Sequence, residues 1–304
     1  MTALTFGPVT SRRFGVSLGV DLSPHSKQCN FDCLYCELSP AKTVNEAIST
    51  PNPASVLEAI KKALKVHPET EYITLTANGE PTLYPHLEEL VDGINALGLK
   101  QKLLILSNSS TITNPKISKI LHKIQVVKLS LDTVDESIFK RLDRPHEGIK
   151  VKDIVKGIKN FAATFKSELI LEILVVKGLN DTKEVFEALN EVISTIKPAR
   201  VDVGTISRPP AYRVEGVENE KLQFLASQIT NIPVAVPWDA VYKNQYDFSD
   251  EELLELLKKR PQSKEDVKRS FTLKSKKALE KLALSGKIKT QNVARVVFYR
   301  ATNS

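Results

Sequence analysis

Alternation between strand-like and helix-like patterns is the feature that most constrains the fold of this chain. Short runs rich in aliphatic and β-branched residues alternate with helical patterns from about residue 14 to residue 245. Some runs are continuously apolar, such as LLIL at 103–106, which is typical of strands buried on both faces. Because each crossover helix must return over a face of the sheet, this alternation predicts parallel strands. The strand candidates are residues 16–22, 71–76, 102–107, 126–131, 168–175 and 200–205.

Helical periodicity between these runs supports an α/β fold. Residues 54–66 place their apolar side chains on one stripe, and residues 182–194 do the same after Thr182, a candidate N-cap. Parallel strands joined in this way can form an open sheet or a partly closed barrel. Periodicity alone does not choose between these two architectures.

A different pattern follows the α/β region. Ser249 opens a predicted helix with a capping box, a second short helix can begin after Ser263, and Thr272 caps a third. A two-stranded hairpin is predicted after the third helix. Three helices followed by a hairpin are the layout of a winged helix. We therefore predict two domains, residues 1–246 and residues 247–304.

The excess of positive over negative charge lies in the last 56 residues of the chain, 249–304. Residues 249–304 hold 14 Lys/Arg and 7 Asp/Glu, which accounts for the whole net charge of +7. Such a domain can bind nucleic acid or another polyanion, although a solvated lysine-rich surface is the simpler alternative. In a winged helix the third helix contacts nucleic acid. The candidates are Lys274, Lys276, Lys277 and Lys281, with Lys287, Lys289 and Arg295 on the hairpin.

The cysteines occupy one short segment. Cys29, Cys33 and Cys36 are the only three in the chain, and an odd, crowded set does not form a disulfide framework. No apolar run approaches the roughly 20 residues of a membrane helix, and no secretory signal is evident, so we expect a cytoplasmic protein. Three thiolates on a tight loop can hold a 4Fe–4S cluster and leave one iron open to a small molecule. A structural zinc site completed by His25 is the alternative.

The spacing CxxxCx-aromatic-C resembles the motif of the radical S-adenosylmethionine (SAM) superfamily. The resemblance implies a partial (β/α)6 barrel with a 4Fe–4S cluster on Cys29, Cys33 and Cys36. It also implies SAM as a cofactor, and a one-electron donor such as flavodoxin or ferredoxin. SAM would be cleaved to a 5′-deoxyadenosyl radical that abstracts hydrogen from a substrate. Two other classes stay open, a redox-sensing regulator that binds nucleic acid and a radical SAM modifier of a protein or peptide.

Further matches to this superfamily follow the ends of successive predicted strands, where βα-barrel sites are built. Residues 76–82 (TANGEPT) resemble the GGE-Pro segment that receives the methionine amino group. Glu80 supplies an acceptor for an ammonium group, and Gly79 lets backbone approach the ligand. Ordinary caps and turns are the alternative for each segment taken alone. The implied SAM contacts are Tyr35 near the adenine, Asn78, Gly79, Glu80, Ser107, Asn108, Ser130 and Asp132.

A more specific resemblance is to the branch related to wyosine synthases, which modify a transfer-RNA guanine. Residues 7–13, 143–146 and 176–181 carry it. The second cysteine set of the wyosine-forming enzymes is absent from this sequence, so the substrate is open, with an RNA base as the candidate. Guanidinium groups suit phosphate or carboxylate, although they can equally tie loops to acidic residues. The predicted substrate contacts are Arg12, Arg13, Arg144, Lys177 and Arg208, with Glu172 as a further candidate.

Overall fold

An eight-stranded sheet dominates the computed structural model, which describes residues 4–11, 13–76, 78–236, 245–293 and 296–302. The strands lie side by side in chain order. The first two are antiparallel, and all later neighbours are parallel. The strands are β1 (Thr5–Ser11), β2 (Gly15–Asp21), β3 (Tyr72–Thr76), β4 (Lys102–Ser107), β5 (Val126–Ser130), β6 (Glu168–Val175), β7 (Arg200–Thr205) and β8 (Val234–Ala235).

Helices return the chain between the parallel strands and cover one face of the sheet. The predicted N-cap Thr182 is confirmed, since its side chain accepts from the N–H of Val185, and Asn52 caps the first helix by accepting from Ala54. The apolar side of each helix enters one large core. The helices are α1 (Pro53–Val66), α2 (Leu87–Ala96), α3 (Pro115–Leu121), α4 (Glu136–Leu142), α5 (Val151–Thr164), α6 (Lys183–Ile196) and α7 (Asn219–Ala226).

Strands β2 to β7 are the predicted six, each within one residue at either end, so the predicted α/β class with parallel strands is confirmed. Within the described residues β1 and β8 are the edges of the sheet. Alternate side chains point to opposite faces of a strand. On β3, Ile73 and Leu75 enter the helical core, while Thr74 and Thr76 lie on the inner face. The inner face is therefore the more polar one.

The C-terminal region folds as predicted into three helices followed by a hairpin. Ser249 and Ser263 both make capping boxes, and Thr272 caps the third helix. A short strand between the first two helices pairs with the hairpin, and no sequence pattern indicated it. The winged-helix interpretation and the domain boundaries stay predictions. The elements are α8 (Asp250–Lys259), β9 (Gln262–Ser263), α9 (Lys264–Ser270), α10 (Leu273–Leu284), β10 (Ile288–Val293) and β11 (Val296–Ala301), in the sheet order β10-β11-β9.

This C-terminal region packs against the antiparallel edge of the large sheet. Val9 of β1 and Val16 of β2 share an apolar cluster with Phe248 and Leu253, and Tyr246 hydrogen-bonds through its hydroxyl to Thr10 at 3.1 Å. Covering an edge strand removes a template for aggregation. No helix in the described ranges has the length and apolar character needed to span a bilayer.

Candidate functional site

The cysteine loop follows β2 at the carboxyl end of the sheet. The N–H of Phe31 points at Cys29 Sγ at 3.4 Å, and the side-chain amide of Asn108 lies 3.6 Å from the same sulfur. Burial raises the pKa of Cys29 to about 12, with the Glu80 carboxylate adding to the rise. Burial also raises the pKa of Cys33 and of Cys36. The free loop therefore carries neutral thiols, and metal binding must displace their protons.

The donor set fits an iron–sulfur cluster better than a single ion. The charge of Cys36 acts on Cys29, and the charges of both act on Cys33, so the three thiols lie near one another. Within the described ranges, no group of three or more His, Cys, Asp and Glu side chains is close enough to hold one metal ion. The ligands of a cluster bind different irons and lie farther apart than the four ligands of a tetrahedral zinc. N–H groups aimed at the sulfur also suit cluster thiolates.

The segment after β3 lies directly against the cysteine loop. The N–H of Gln28 donates to Asn78 O at 2.8 Å, and the N–H of Glu80 donates to Gln28 O at 3.0 Å. Gly79 has φ +145°, and a Cβ there would lie 1.9 Å from Gln28 O. The glycine therefore admits the cysteine loop itself, where the sequence suggested approach to a ligand.

Glu80 is a buried carboxylate that joins two strand ends. Its oxygens accept from Thr82 Oγ1 at 2.6 Å, from Ser107 Oγ at 2.9 Å and from the N–H of Asn108 at 2.8 Å. Burial raises the pKa of Glu80 even though these bonds oppose the rise. No cation within the described residues pairs with it. The predicted SAM residues Ser107 and Asn108 are thus brought to Glu80, and their contact with SAM stays a prediction.

Two buried carboxyl groups lie on the other side of the cysteine loop. Tyr35 donates its hydroxyl to Asp132 at 2.5 Å, and Asp143 Oδ1 lies 3.4 Å from that hydroxyl and 3.5 Å from Cys33 Sγ. Burial raises the pKa of Asp132 to about 6, and burial together with Asp132 raises that of Asp143 well above its usual range. These groups border a small cavity of about 20 Å³. Its polar lining is Tyr35, Asn108, Ser130, Asp132, Thr133 and Asp143.

Two of the predicted substrate contacts, Arg144 and Arg208, form ion pairs with acidic residues. Arg144, with φ +47°, lies 3.3 Å from Asp32 and over the Tyr212 ring. Arg208 pairs with Glu37 at 2.9 Å beside Cys36. These contacts are the loop-tying alternative, and a substrate role for either arginine stays a prediction.

The remaining predicted substrate contacts are spread widely. Lys177 forms an exposed pair with Glu215 at 3.1 Å, whereas Arg13 enters the inner face of the sheet and pairs with Glu172. Arg12 lies outside the described residues. The structure therefore does not gather these side chains into one substrate site.

A network of charges on the inner face was missed by the sequence analysis, apart from Arg13 and Glu172. Lys128 contacts Glu172 at 2.7 Å and the fully buried Asp202 at 3.1 Å. Arg200 contacts Asp202 at 2.9 Å from the other side. The cations Lys128 and Arg13 hold the pKa of Glu172 down at about 2 despite its burial. A single charged residue in the middle of an apolar strand was the available signal.

The sequence analysis connected the loop between β7 and α7 to the site only through Arg208, and the structure adds contacts from Ala211 and Tyr212. The N–H of Ala211 donates to Cys36 O at 2.8 Å, and the Tyr212 hydroxyl donates to Asp32. Asp32 accepts from Lys27 as well, at 3.0 Å. The loop thus covers the cysteine segment, and the Arg-Pro-Pro sequence at 208–210 was its only local signal.

The lysines predicted to bind nucleic acid lie on α10. Lys274 and Lys281 are largely exposed and pair with Asp247 at 3.2 Å and with Asp250 at 2.8 Å. Lys276 donates to the carbonyl of Lys268 at 2.9 Å, and Lys277 belongs to the same helix. Exposed pairs of this kind are weak, so the side chains can exchange partners.

Comparison with known proteins agrees with this site. A family model for the radical SAM superfamily matches residues 23–191. The UPF0026 protein of Helicobacter pylori is 36% identical over 301 residues, covering 98% of this chain and 97% of that protein. A Brachyspira hyodysenteriae protein named GTPase Obg is 32% identical, covering 98% of this chain and 45% of its own length.

A solved structure supports the fold. The structure of SuiB of Streptococcus suis bound to S-adenosylmethionine has a TM-score of 0.56 at 20% identity, covering 75% of this chain and 53% of that one. The chain belongs to the radical SAM superfamily. Members of this superfamily are enzymes that use a 4Fe–4S cluster and SAM.

Proposed function

We propose that this protein is a radical SAM enzyme that acts on an RNA base, with transfer RNA as the first candidate. When bound, the cluster and SAM supply a one-electron cleavage that yields methionine and a 5′-deoxyadenosyl radical, which takes hydrogen from the substrate. A ferredoxin or flavodoxin is the proposed electron donor. The substrate class follows from the sequence resemblance to the wyosine branch and from the basic C-terminal region.

One observation carries the enzyme proposal. The loop with the three thiols lies against a buried carboxylate, Glu80 of the segment after β3, that has no cationic partner among the residues described. An unpaired buried carboxylate is costly, and the ammonium group of SAM would offset that cost. A site built only to sense redox state has no need of this arrangement.

The proposed roles of the polar residues follow from their positions. Cys29, Cys33 and Cys36 hold the cluster, and Glu80 receives the amino group of SAM. Ser130 and Asn108, which border the cavity beside Tyr35, offer hydroxyl and amide groups to the carboxylate and ribose. Ser107, Asn78 and Gly79 position this surface through their contacts with Glu80 and Gln28.

The proposed RNA contact lies in the C-terminal region. If it acts as a winged helix, α10 presents Lys274, Lys276, Lys277 and Lys281 to the phosphate backbone. Replacing a lysine that binds a phosphate with glutamine is expected to reduce the salt dependence of RNA binding by about one unit on a double logarithmic scale. RNA binding by such variants, measured over a salt series, tests this part.

The enzyme proposal is tested by product formation. The protein is reconstituted anaerobically with iron and sulfide, reduced with dithionite and mixed with SAM, and 5′-deoxyadenosine is quantified. We expect product from the wild type and none from Cys33→Ala. A transfer-RNA transcript should increase the rate, because a bound substrate commits the radical to hydrogen abstraction.

The opposite result would favour a different class. A reconstituted cluster that never yields 5′-deoxyadenosine, with any reductant or candidate substrate, contradicts the enzyme proposal. It would support the redox-sensing regulator. Product formation that peptides stimulate and RNA does not would instead place the chain among modifiers of proteins.

A further inference from the structure

A cleft separates the C-terminal region from the carboxyl ends of β2 and β3. Its volume is about 380 Å³. One wall comes from the large sheet and the segments that flank the cysteine loop, and the other comes from α8 and β11. We call it the interdomain cleft, and its lining is Phe6, Asp21, Pro24, His25, Lys27, Leu38, Ser39, Thr76, Asn78, Glu255, Lys258, Lys259 and Arg300.

The charged lining of the interdomain cleft is mostly cationic. Lys259 forms an ion pair with the buried Asp21 and so fixes the two walls to each other. Lys258 pairs with Glu255 at 2.9 Å, one turn earlier on α8, and its side chain is 44% exposed. Because the Lys258 side chain is partly exposed, its ammonium group can also contact an anion in the cleft while it stays near Glu255.

Arg300 is the least compensated charge in the interdomain cleft. Its guanidinium donates to a neutral acceptor, the carbonyl oxygen of Glu37, at 3.5 Å. Within the described ranges no carboxylate lies within ion-pair distance of it. Arginine carries five donors in a planar fork that matches phosphate. A guanidinium with one long bond to a neutral carbonyl keeps most of that capacity.

One carboxylate oxygen beside the interdomain cleft lacks a hydrogen-bond partner. The Oε2 atom of Glu255 is buried and accepts no hydrogen bond from the part of the chain that is described. A buried acceptor of this kind costs free energy until a donor reaches it. A ligand of the cleft is thus expected to carry an N–H or O–H group as well as an anionic group, as a nucleotide does.

The interdomain cleft reaches the cysteine loop. Lys27 lines the cleft and also pairs at 3.0 Å with Asp32, which lies between Cys29 and Cys33 in the sequence. Leu38 and Ser39 line the cleft just after Cys36. An anion held here would place the rest of its molecule beside the loop where the cluster is expected.

We propose that the interdomain cleft binds a phosphate group of the substrate, with Arg300 and Lys258 as its ligands. The substrate site is then shared between the sheet and the C-terminal region. This inference rests on the proposed radical SAM function and adds the chemical class of the substrate, a phosphate-bearing nucleotide or nucleic acid. It also assigns α8 and β11 a binding role that is separate from the lysines of α10.

Binding to the full-length reconstituted protein tests this assignment. A fluorescein-labelled, 5′-phosphorylated oligoribonucleotide is followed by fluorescence anisotropy. A transfer-RNA transcript, guanosine 5′-monophosphate and guanosine are the competitors. The first two distinguish a nucleic acid from a free nucleotide, and guanosine lacks the phosphate. The double variant K258Q/R300Q is compared with K152Q/K156Q, which removes the same charge from exposed positions on α5.

We expect K258Q/R300Q to bind the phosphate-bearing probes about tenfold more weakly or worse, because each charge-assisted bond to phosphate is strong. K152Q/K156Q should stay within about twofold of the wild type, since exposed charges far from a site are screened. Lys258→Gln alone, at an exposed position that does not threaten folding, should show part of the loss. Guanosine should not distinguish the proteins.

Equal binding by the two double variants, or no binding of any phosphate-bearing probe by the wild type, would overturn the cleft assignment. The same wild-type preparation is assayed for 5′-deoxyadenosine with the range of reductants and candidate substrates described above. Absence of that product contradicts the proposed function, whereas product together with equal binding contradicts the cleft assignment alone.

Discussion

Two groups of acidic residues lie along the sheet, one at its carboxyl end and one on its inner face. At the carboxyl end, Glu80, Asp132 and Asp143 are buried among hydroxyl and N–H groups, and burial raises the pKa of each. On the inner face, Glu172 and Asp202 are surrounded by lysine and arginine, and the pKa of Glu172 falls to about 2. The inner face supplies its own cations, whereas no cation of the described residues pairs with Glu80, Asp132 or Asp143.

This difference distinguishes charges that are compensated within the fold from charges that we expect to bind a ligand. A network in which each acidic residue already pairs with a cation needs no ligand, so the inner-face charges can be explained by folding alone. Buried carboxyl groups without a cation are stable only if they are protonated or if a cation arrives from outside. SAM carries both an ammonium group and a sulfonium group, which makes the carboxyl end the place where it is expected.

Lys128→Met should disrupt the inner-face network and give the largest loss of stability among these variants. It leaves Glu172 and the fully buried Asp202 short of a cation, which is expected to lower the free energy of unfolding by about 3–5 kcal/mol. Lys177→Met, which removes an exposed pair, should cost less than about 1 kcal/mol. Urea titrations followed by circular dichroism measure both. Equal losses would mean that the network is no more important than a surface pair.

Gly79→Ala, at the carboxyl end, should lower the free energy of unfolding more than Gly204→Ala, on the inner face. At Gly79 the new Cβ meets the backbone of Gln28, and φ is +145°, so a loss of about 1–3 kcal/mol or more is expected. At Gly204 the nearest atom is the mobile Nη2 of Arg13, at 2.9 Å, and about 1 kcal/mol is expected. Thermal melts of the two variants give the order, and a larger loss for Gly204→Ala would contradict it.

Glu80→Gln should weaken SAM binding about tenfold, which is about 1.4 kcal/mol, because an amide cannot neutralise an ammonium group. Glu172→Gln is the matched control on the inner face and should leave the SAM affinity unchanged. Equilibrium dialysis of labelled SAM with the reconstituted proteins measures both. If the control loses affinity and Glu80→Gln does not, the division between the two groups is wrong.

The smallest expected effect is on the pH dependence of the free energy of unfolding. The wild type and Glu172→Gln should differ in a direction that follows from the lowered pKa of Glu172. The folded-state pKa of Glu172 is about 2, below its ordinary value of 4.5, so its contribution is present above pH 4.5 and is lost as the pH falls toward 2. The wild type should therefore lose stability more steeply than Glu172→Gln between about pH 5 and pH 2, by at most about 1.4 kcal/mol per pH unit. Urea midpoints across this range give the two slopes. Parallel slopes would show that the carboxylate is not paired.

Much of the fold could be predicted from local patterns. The strand candidates were found because buried parallel strands are continuously apolar, and Ser249, Ser263 and Thr272 marked helix starts through capping, which is local chemistry. The antiparallel strand β1 was missed because Gly7 and Pro8 lie inside it, and these two residue types argue against a strand. The two-residue strand β9 was missed because so short a segment carries no periodicity.

The site was predicted in its composition more than in its contacts. Cysteine spacing placed the loop, but Arg144 and Arg208 pair with Asp32 and Glu37, which are more than a hundred positions away. No local signal links such residues. Gly79 was singled out correctly, although its neighbour is Gln28 backbone. Lys128 and Asp202 each interrupt an apolar strand, and two-residue alternation would have placed both on the inner face.

The ion pair between Asp21 and Lys259 has a consequence for biosynthesis. Asp21 also accepts from the N–H groups of Ser23 and Asn78, at 2.9 Å and 3.0 Å, so it links the start of the cysteine segment to the segment after β3. Lys259 leaves the ribosome some 238 residues after Asp21. Contacts of such sequence separation form late in folding. We therefore expect iron and sulfide to be inserted after translation, into a chain whose α8 has already folded onto the sheet.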